Sequence, residues 1–478
     1  MRNLGFPDKY EKKEQSFEQR PKKRSWKFWI VFWSLALVFL TGWTVFLHVK
    51  NQGWFGLLDT ASPIVGILPI AEKQKSEIQT IFDVVPEITE DEQEKTFLVL
   101  FQNNMELRPG GGFIGAFGIL KTKGERVVDV QVHDTNVFDS KISTGIEPPY
   151  PMGEMLSIGN WEMRDSNWYP DFPANAAKAQ ELYHLQGGKE EFDGVAAIST
   201  EVLLSFLESV GPVELEGYPG EYNSENAIMK LEYQVEKGYK EQDIEKGKRK
   251  YVMKELAQEI LKRTQNLTWR EKKDLLLSIE RHLDQKDIMV YFKNPSVQEK
   301  INKLGWCGKM DEDFSGDYLM MVDANLGALK TDLHMERSFD YTVDLEREKP
   351  KATLNIHYKN TAKARDWMTS DYRSYLRVYV PKESWLTNTE EAGVMRFGEE
   401  FNRKYFGAIV NVPIDSEKTV TFEYDLPKDV IENGYDLKIQ KQSGISSLPG
   451  EINVINKDLT GRTYEVDIDS DFTLKEEN

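Results

Sequence analysis

The sequence predicts an α/β domain followed by a C-terminal all-β, Ig-like sandwich, both placed after one N-terminal transmembrane helix. Three observations predict this. An uncharged run covers Phe28 to Val49, strand-like and helix-like runs alternate from about residue 95, and short alternating strands fill the chain beyond about residue 333. The corresponding divisions are a basic cytoplasmic tail (1–27), the transmembrane helix (28–49), a helical stalk (50–94), the α/β domain (95–332), the sandwich (333–470) and a short tail (471–478).

A helix over 28–49, rising about 1.5 Å per residue, crosses a hydrocarbon core of about 30 Å. The run ends in Trp43, Phe46, His48 and Lys50, with no small-residue cleavage site of the kind that ends a signal peptide. Arg20, Lys22, Lys23, Arg24 and Lys27 flank its start. The positive-inside rule therefore places the N-terminus in the cytoplasm and the bulk of this single-pass chain outside the cell membrane. Net charge is −18 over 478 residues; residues 1–50, with ten Lys/Arg against four Asp/Glu, take +6 of it and leave −24 on the rest. So acidic an exported part argues against nucleic-acid binding. Cys307 is the only cysteine, which excludes an intramolecular disulfide.

The run Thr96–Phe101 has the length and composition of a buried strand, and Phe113–Leu120 and Val127–Val132 form a hairpin about Lys123-Gly124. Pro173–Leu185 reads as a helix, Phe192–Ile198 as a strand, Ser199 as the cap of a helix to Val210, and Gly211 as its stop. Alternation of this kind indicates α/β architecture. Ser224–Lys237 and Ile244–Thr264 read as helices, a helical stretch continues to about Leu304, and Asp317–Asp323 reads as the last strand of this domain. Seven short strands then run from Phe339 to Ile468, which argues a β-sandwich able to fold by itself from about residue 335.

Gly110-Gly-Gly-Phe-Ile-Gly115 matches a dinucleotide-binding string, but the residues that follow are β-like where that fold needs a helix. The glycines still imply close approach of backbone to a ligand or to another strand. The six histidines have no metal-ligand spacing, and Asp165 and Asp171 read better as solvated loop carboxylates than as a glycosidase couple. Asp243 to Lys250 opens a helix whose apolar stripe is Val252, Leu256 and Ile260. At 100° per residue Arg249 falls on the margin of that stripe, with Lys246 further out. A cation there needs an anion, and either a phosphate or a structural carboxylate suits the guanidinium fork.

The segment Asn104-Met-Glu-Leu-Arg108-Pro-Gly-Gly-Gly-Phe113, with Arg164–Pro173 and Phe192–Ile198, resembles an uncharacterised family of bacterial membrane-anchored proteins. At longer range the order of elements is similar to the LytR-CpsA-Psr phosphotransferases, which attach glycopolymers from polyprenyl-pyrophosphate carriers to the cell wall. On that resemblance Arg108 stands for the arginine of R-x-D-T, Val132-His133-Asp134 for P-R-D, Gly211-Pro212-Val213 for G-G-V, and Asp243, Lys246, Arg249 and Lys250 for D-x-x-R-x-x-R-Q. It implies Asp134, Arg108 and Arg249 as catalytic residues converging in one pocket, with Mg²⁺ held on Asp134. Gly111, Gly112, His133, Arg164, Asp165 and Lys246 complete the ligand-binding set. The implied partners are membrane lipid, a polyprenyl-pyrophosphate glycan and cell-wall polymer. Gly110, His133, Lys246 and Lys250 depart from the family residues, so two functions are expected as alternatives. One is binding, with transfer, of the lipid-linked glycan in cell-envelope assembly. The other is a non-catalytic cell-surface binding or scaffold protein with an Ig-like module.

Overall fold

The computed structural model describes residues 93–476, except 125, 265, 433 and 457–460, together with residues 80, 84 and 87. The expected cytoplasmic tail and membrane span, and nearly all of the expected stalk, lie outside the described residues. Among the described residues no helix is long and apolar enough to cross a membrane.

The N-terminal unit is a mixed α/β layer structure. Strands β1 (Glu94–Arg108), β2 (Gly111–Lys123) and β3 (Arg126–Asp134) form the expected meander, with Gly124 at φ +54° in the second turn. Then come α1 (Thr135–Asp139), α2 (Phe172–Leu185), β4 (Gly194–Ser199), α3 (Thr200–Val210), α4 (Ala227–Tyr233), α5 (Tyr251–Thr264), α6 (Trp269–Asp284), β5 (Ile288–Phe292) and α7 (Pro295–Leu304). The sheet order is β3-β2-β1-β4-β5, with β1 and β4 parallel. Because side chains alternate along a strand, Phe97 and Val99 enter one core with α3, α5 and α6, while Leu98 and Leu100 enter another with α2 and Trp161 to Trp168. Strand β5 departs from the helical reading of its segment. Its five apolar residues are too few for periodicity to separate strand from buried helix. Two helices are also shorter than expected: α5 begins at Tyr251, after a 3₁₀ turn at Lys246–Lys248, and α4 passes into a π turn at Gln234–Gly238.

The C-terminal region is strand-rich: β6 (Asp317–Val322), β7 (Met335–Asp344), β8 (Lys351–Asn360), β9 (Tyr372–Pro381), β10 (Trp385–Glu390), β11 (Met395–Glu400), β12 (Arg403–Val412), β13 (Ser416–Asp425), β14 (Tyr435–Ile439), β15 (Pro449–Ile455), β16 (Gly461–Asp467) and β17 (Phe472–Glu476). They form two six-stranded sheets, β10-β13-β8-β7-β15-β16 and β11-β12-β9-β6-β14-β17, which share one core. All seven expected strands are present. Three findings differ from expectation. Strand β6 is not the last strand of the α/β domain but the centre of the second sandwich sheet, between β9 and β14. Residues 472–476 are a strand paired with β14, not a tail. Two of the pairings, β7–β15 and β6–β14, are parallel.

Asp317, at the start of β6, is fully buried, and its Oδ2 accepts from the hydroxyls of Tyr341 (2.7 Å) and Tyr435 (2.6 Å). Burial nevertheless pushes its carboxyl up to about 6 from the ordinary 3.8. A carboxyl raised in the folded state stabilises while protonated, and that contribution is lost as pH rises through about 6. Asp317→Asn is therefore expected to raise the melting temperature at pH 8 more than at pH 4. Equal shifts at both values would contradict a charged, strained Asp317.

Candidate functional site

The site lies at the C-terminal ends of β3 and β4, level with Phe101 and Gln102 in the middle of β1, and ligands characteristically bind at such strand ends. Asp134 closes β3 and caps α1, its Oδ1 accepting from the Asn136 N–H at 2.9 Å. Its two oxygens are then taken by Lys250 Nζ and Arg249 Nε, each at 3.1 Å. The turn before α5 places both cations there, and Lys250 Nζ also donates to the Gly115 carbonyl. Arg249 Nη1 lies 3.5 Å from Glu236 in the π turn. Nearby, Glu232 accepts from Asn103 at 2.6 Å and pairs with Lys330 at 3.3 Å, and burial pushes its carboxyl up. Burial alone would raise Asp134 as well, but Lys250 and Arg249 outweigh it and hold that carboxyl below its ordinary value. Burial lowers Lys250, and Asp134 offsets this only in part.

Beside this cluster, between the sheet and α3, α4 and α5, lies an apolar cavity of about 130 Å³. Its walls include Phe101, Val132, Leu203, Phe206, Met253 and Ala257. Val132 is two residues before Asp134 on the same strand face, and Met253 is one turn after Lys250, so the cation pair stands at one end of the cavity. Ser199 Oγ, also in its wall, is buried without a hydrogen-bond partner. A cavity of about 150 Å³ accommodates a benzene ring. This one is of similar size, and Leu203, Met253 and Leu261 in its wall are half-buried.

The structure brings Asp134 and Arg249 together and keeps Arg108 apart. In the strand register Arg108 faces Gly111 while Asp134 faces Ala116, five residues further along β2 and so about 16 Å of strand. Arg108 is 2% exposed and its donors are spent on Asp165 (3.2 Å), Glu106 (2.9 Å) and the Asn325 carbonyl (2.6 Å). It ties the α/β sheet to the sandwich instead of facing a ligand. Asp165 is thus a buried counter-ion, and Asp171 caps α2 and accepts from Met310 N–H, so neither is the solvated loop carboxylate expected. Arg164 bridges Asn136, Glu162 and Asp139. His133 points to the opposite face and stacks on Phe117 at 4.9 Å. Lys246 is exposed in its 3₁₀ turn, because the helix on which its angle was reckoned starts later.

Gly111, at φ +120°, and Gly112 serve strand approach: a Cβ on the first would meet Gln102 Oε1 at 2.0 Å, and on the second the Asn103 backbone at 2.2 Å. As for metal, Asp134 already has three donors on its oxygens, and among the described residues no three acidic, His or Cys side chains group as a metal site. Asp134 as placed does not fit a divalent ion. The cavity was missed in the sequence because Met253, Ala257 and Leu261 run one residue after the recognised stripe, a sign that the apolar face of α5 is wider than a core contact needs.

Residues 92–235 match a family described as "Protein of unknown function (DUF4012)". The matched segment spans β1 to the π turn and ends before Arg249 and Lys250. No curated protein matches the sequence. Among solved structures the chain is similar to the Lin1025 protein of Listeria innocua at 9% identity and a TM-score of 0.26, over 45% of this chain and 80% of that one.

Proposed function

We propose that this chain binds an isoprenoid lipid through its phosphate or pyrophosphate head group, at the outer face of the membrane in which residues 28–49 would anchor it. The observation that carries this reading is an apolar cavity ending at a buried pair of cations. Arg249 and Lys250 would hold the anion by charge-assisted hydrogen bonds, and the cavity would take the first part of the chain. The longer-range resemblance to LytR-CpsA-Psr proteins agrees with such a ligand and adds the glycan it would carry. Binding fits the geometry better than transfer, since Arg108 is neutralised by its own carboxylates and Asp134 is fully engaged. The scaffold alternative is supported by the same pairing and differs in needing no lipid.

Thermal melting of the detergent-solubilised full chain separates the two. Geranylgeranyl pyrophosphate is expected to raise the melting temperature by several degrees without added Mg²⁺, and inorganic pyrophosphate alone by much less. No shift with the lipid would refute the reading.

A further inference from the structure

Ser205, His282 and Asp287 lie outside the cation site and have no part in it. Ser205 Oγ is 2.8 Å from His282 Nε2, and His282 Nδ1 is 2.8 Å from Asp287 Oδ2. A carboxylate only accepts, so Nδ1 carries the proton and Nε2 turns its lone pair to the Ser205 hydroxyl. This is the arrangement in which an imidazole serves as general base to a serine. The three residues come from α3, from the last turn of α6 and from the turn before β5. Ser205 also lines a cleft of about 380 Å³ with Glu208, Glu271, Asp274 and Arg281.

We propose that Ser205 is a nucleophile toward carboxylic esters that carry a cationic group, activated by His282 and Asp287 at the floor of this cleft. Ser205 Oγ attacks the ester carbonyl carbon as its proton passes to His282 Nε2, and the carbonyl electron pair moves onto oxygen. Collapse of the tetrahedral species breaks the bond to the alcohol oxygen, which takes the proton from Nε2 and leaves as the alcohol. Water, deprotonated by the same nitrogen, then attacks the acyl carbon; the bond to Ser205 Oγ breaks, Oγ takes the proton back from Nε2, and the carboxylic acid is released. Asp287 holds the ring through its contact with Nδ1. Ser205 stands inside α3, where backbone N–H groups are spent in the helix, so the oxyanion needs a side-chain donor. Arg281 is the cation of the cleft, with Nη2 now 3.1 Å from Ser278 Oγ. Three carboxylates against that one guanidinium make the cleft attract positive charge, which sets the substrate preference.

The test treats the detergent-solubilised full chain with a fluorophosphonate and maps the adduct by mass spectrometry. One adduct on Ser205 is expected, absent in Ser205→Ala. Asp287→Asn should slow it by about 100-fold or more, because the amide no longer fixes the tautomer. The p-nitrophenyl ester of 4-guanidinobenzoate should release a burst of p-nitrophenol faster than the anionic p-nitrophenyl hemisuccinate. Absence of a Ser205 adduct and of a burst in folded protein would overturn the proposal, leaving the three groups as a clasp between α3 and α6. Equal bursts from the two esters would overturn the charge preference.

Discussion

Asp134→Ala is expected to cost about 3–5 kcal/mol of stability, the usual penalty for stripping the partner from a buried ion pair. Asp134 is 4% exposed and answers two cations, of which Lys250 is 10% and Arg249 11% exposed. Removing the carboxylate leaves Lys250 facing only the Gly115 carbonyl. Arg249→Ala should cost clearly less, since Asp134 keeps Lys250 and the α1 cap. Adding Lys250→Met to Asp134→Ala should recover part of the loss, which a double-mutant cycle in urea, followed by near-UV circular dichroism, would read directly. A cost under about 1 kcal/mol for Asp134→Ala would show that the cluster is hydrated and not an ion pair at a cavity mouth.

A chain of residues 335–478 is expected to show no cooperative melt, whereas 309–478 should melt cooperatively. The difference is β6, whose Tyr318, Leu319, Met320 and Val322 are all at most 1% exposed. At roughly 1.5–3 kcal/mol per buried apolar side chain, this strand contributes about as much as the whole net stability of an ordinary domain, about 5–15 kcal/mol. Without it the second sheet falls into β11-β12-β9 and β14-β17. The longer chain also keeps Asp311 and Phe314, whose carbonyls accept from Arg403. A cooperative β-type melt from 335–478 would show the sandwich to be complete without β6.

Thr96–Phe101 and the alternating strands of the sandwich were legible one residue at a time, as was Gly211 at the end of α3, whereas the apolar β5 was not and Ser199 stands at the N-cap without a side-chain capping bond. What was not legible depends on partners distant in sequence. Strand β6 reads as an apolar run anywhere, and only its pairing with β9 and β14 assigns it to the sandwich. Residues 472–476 bury a single side chain, Leu474, and so look like a polar tail. At the site, the sequence left a phosphate and a carboxylate open as the counter-charge of Arg249, and the salt bridge to Asp134 comes from the turn before α5, a turn that the assumed longer helix does not contain. Arg108 was misplaced, since motif order says which strand it ends and nothing about the Asp165 and Asn325 groups that surround it. Ser205, His282 and Asp287 share no sequence motif at all, and a separation of 77 positions between the first two conceals a 2.8 Å contact.

In the proposed function, the cavity beside Asp134, Arg249 and Lys250 would receive an isoprenoid chain whose phosphate rests on those cations. The most direct test is photolabelling of the detergent-solubilised full chain with an isoprenyl pyrophosphate bearing a diazirine near the head group, followed by peptide mapping. Labelling is expected within α3 and α5, on Leu203, Phe206, Met253 or Ala257, and is expected to be lost in Ala257→Phe and in the Arg249→Ala/Lys250→Ala double variant. Labelling that is absent, or that falls elsewhere and survives both variants, would refute lipid binding in this cavity.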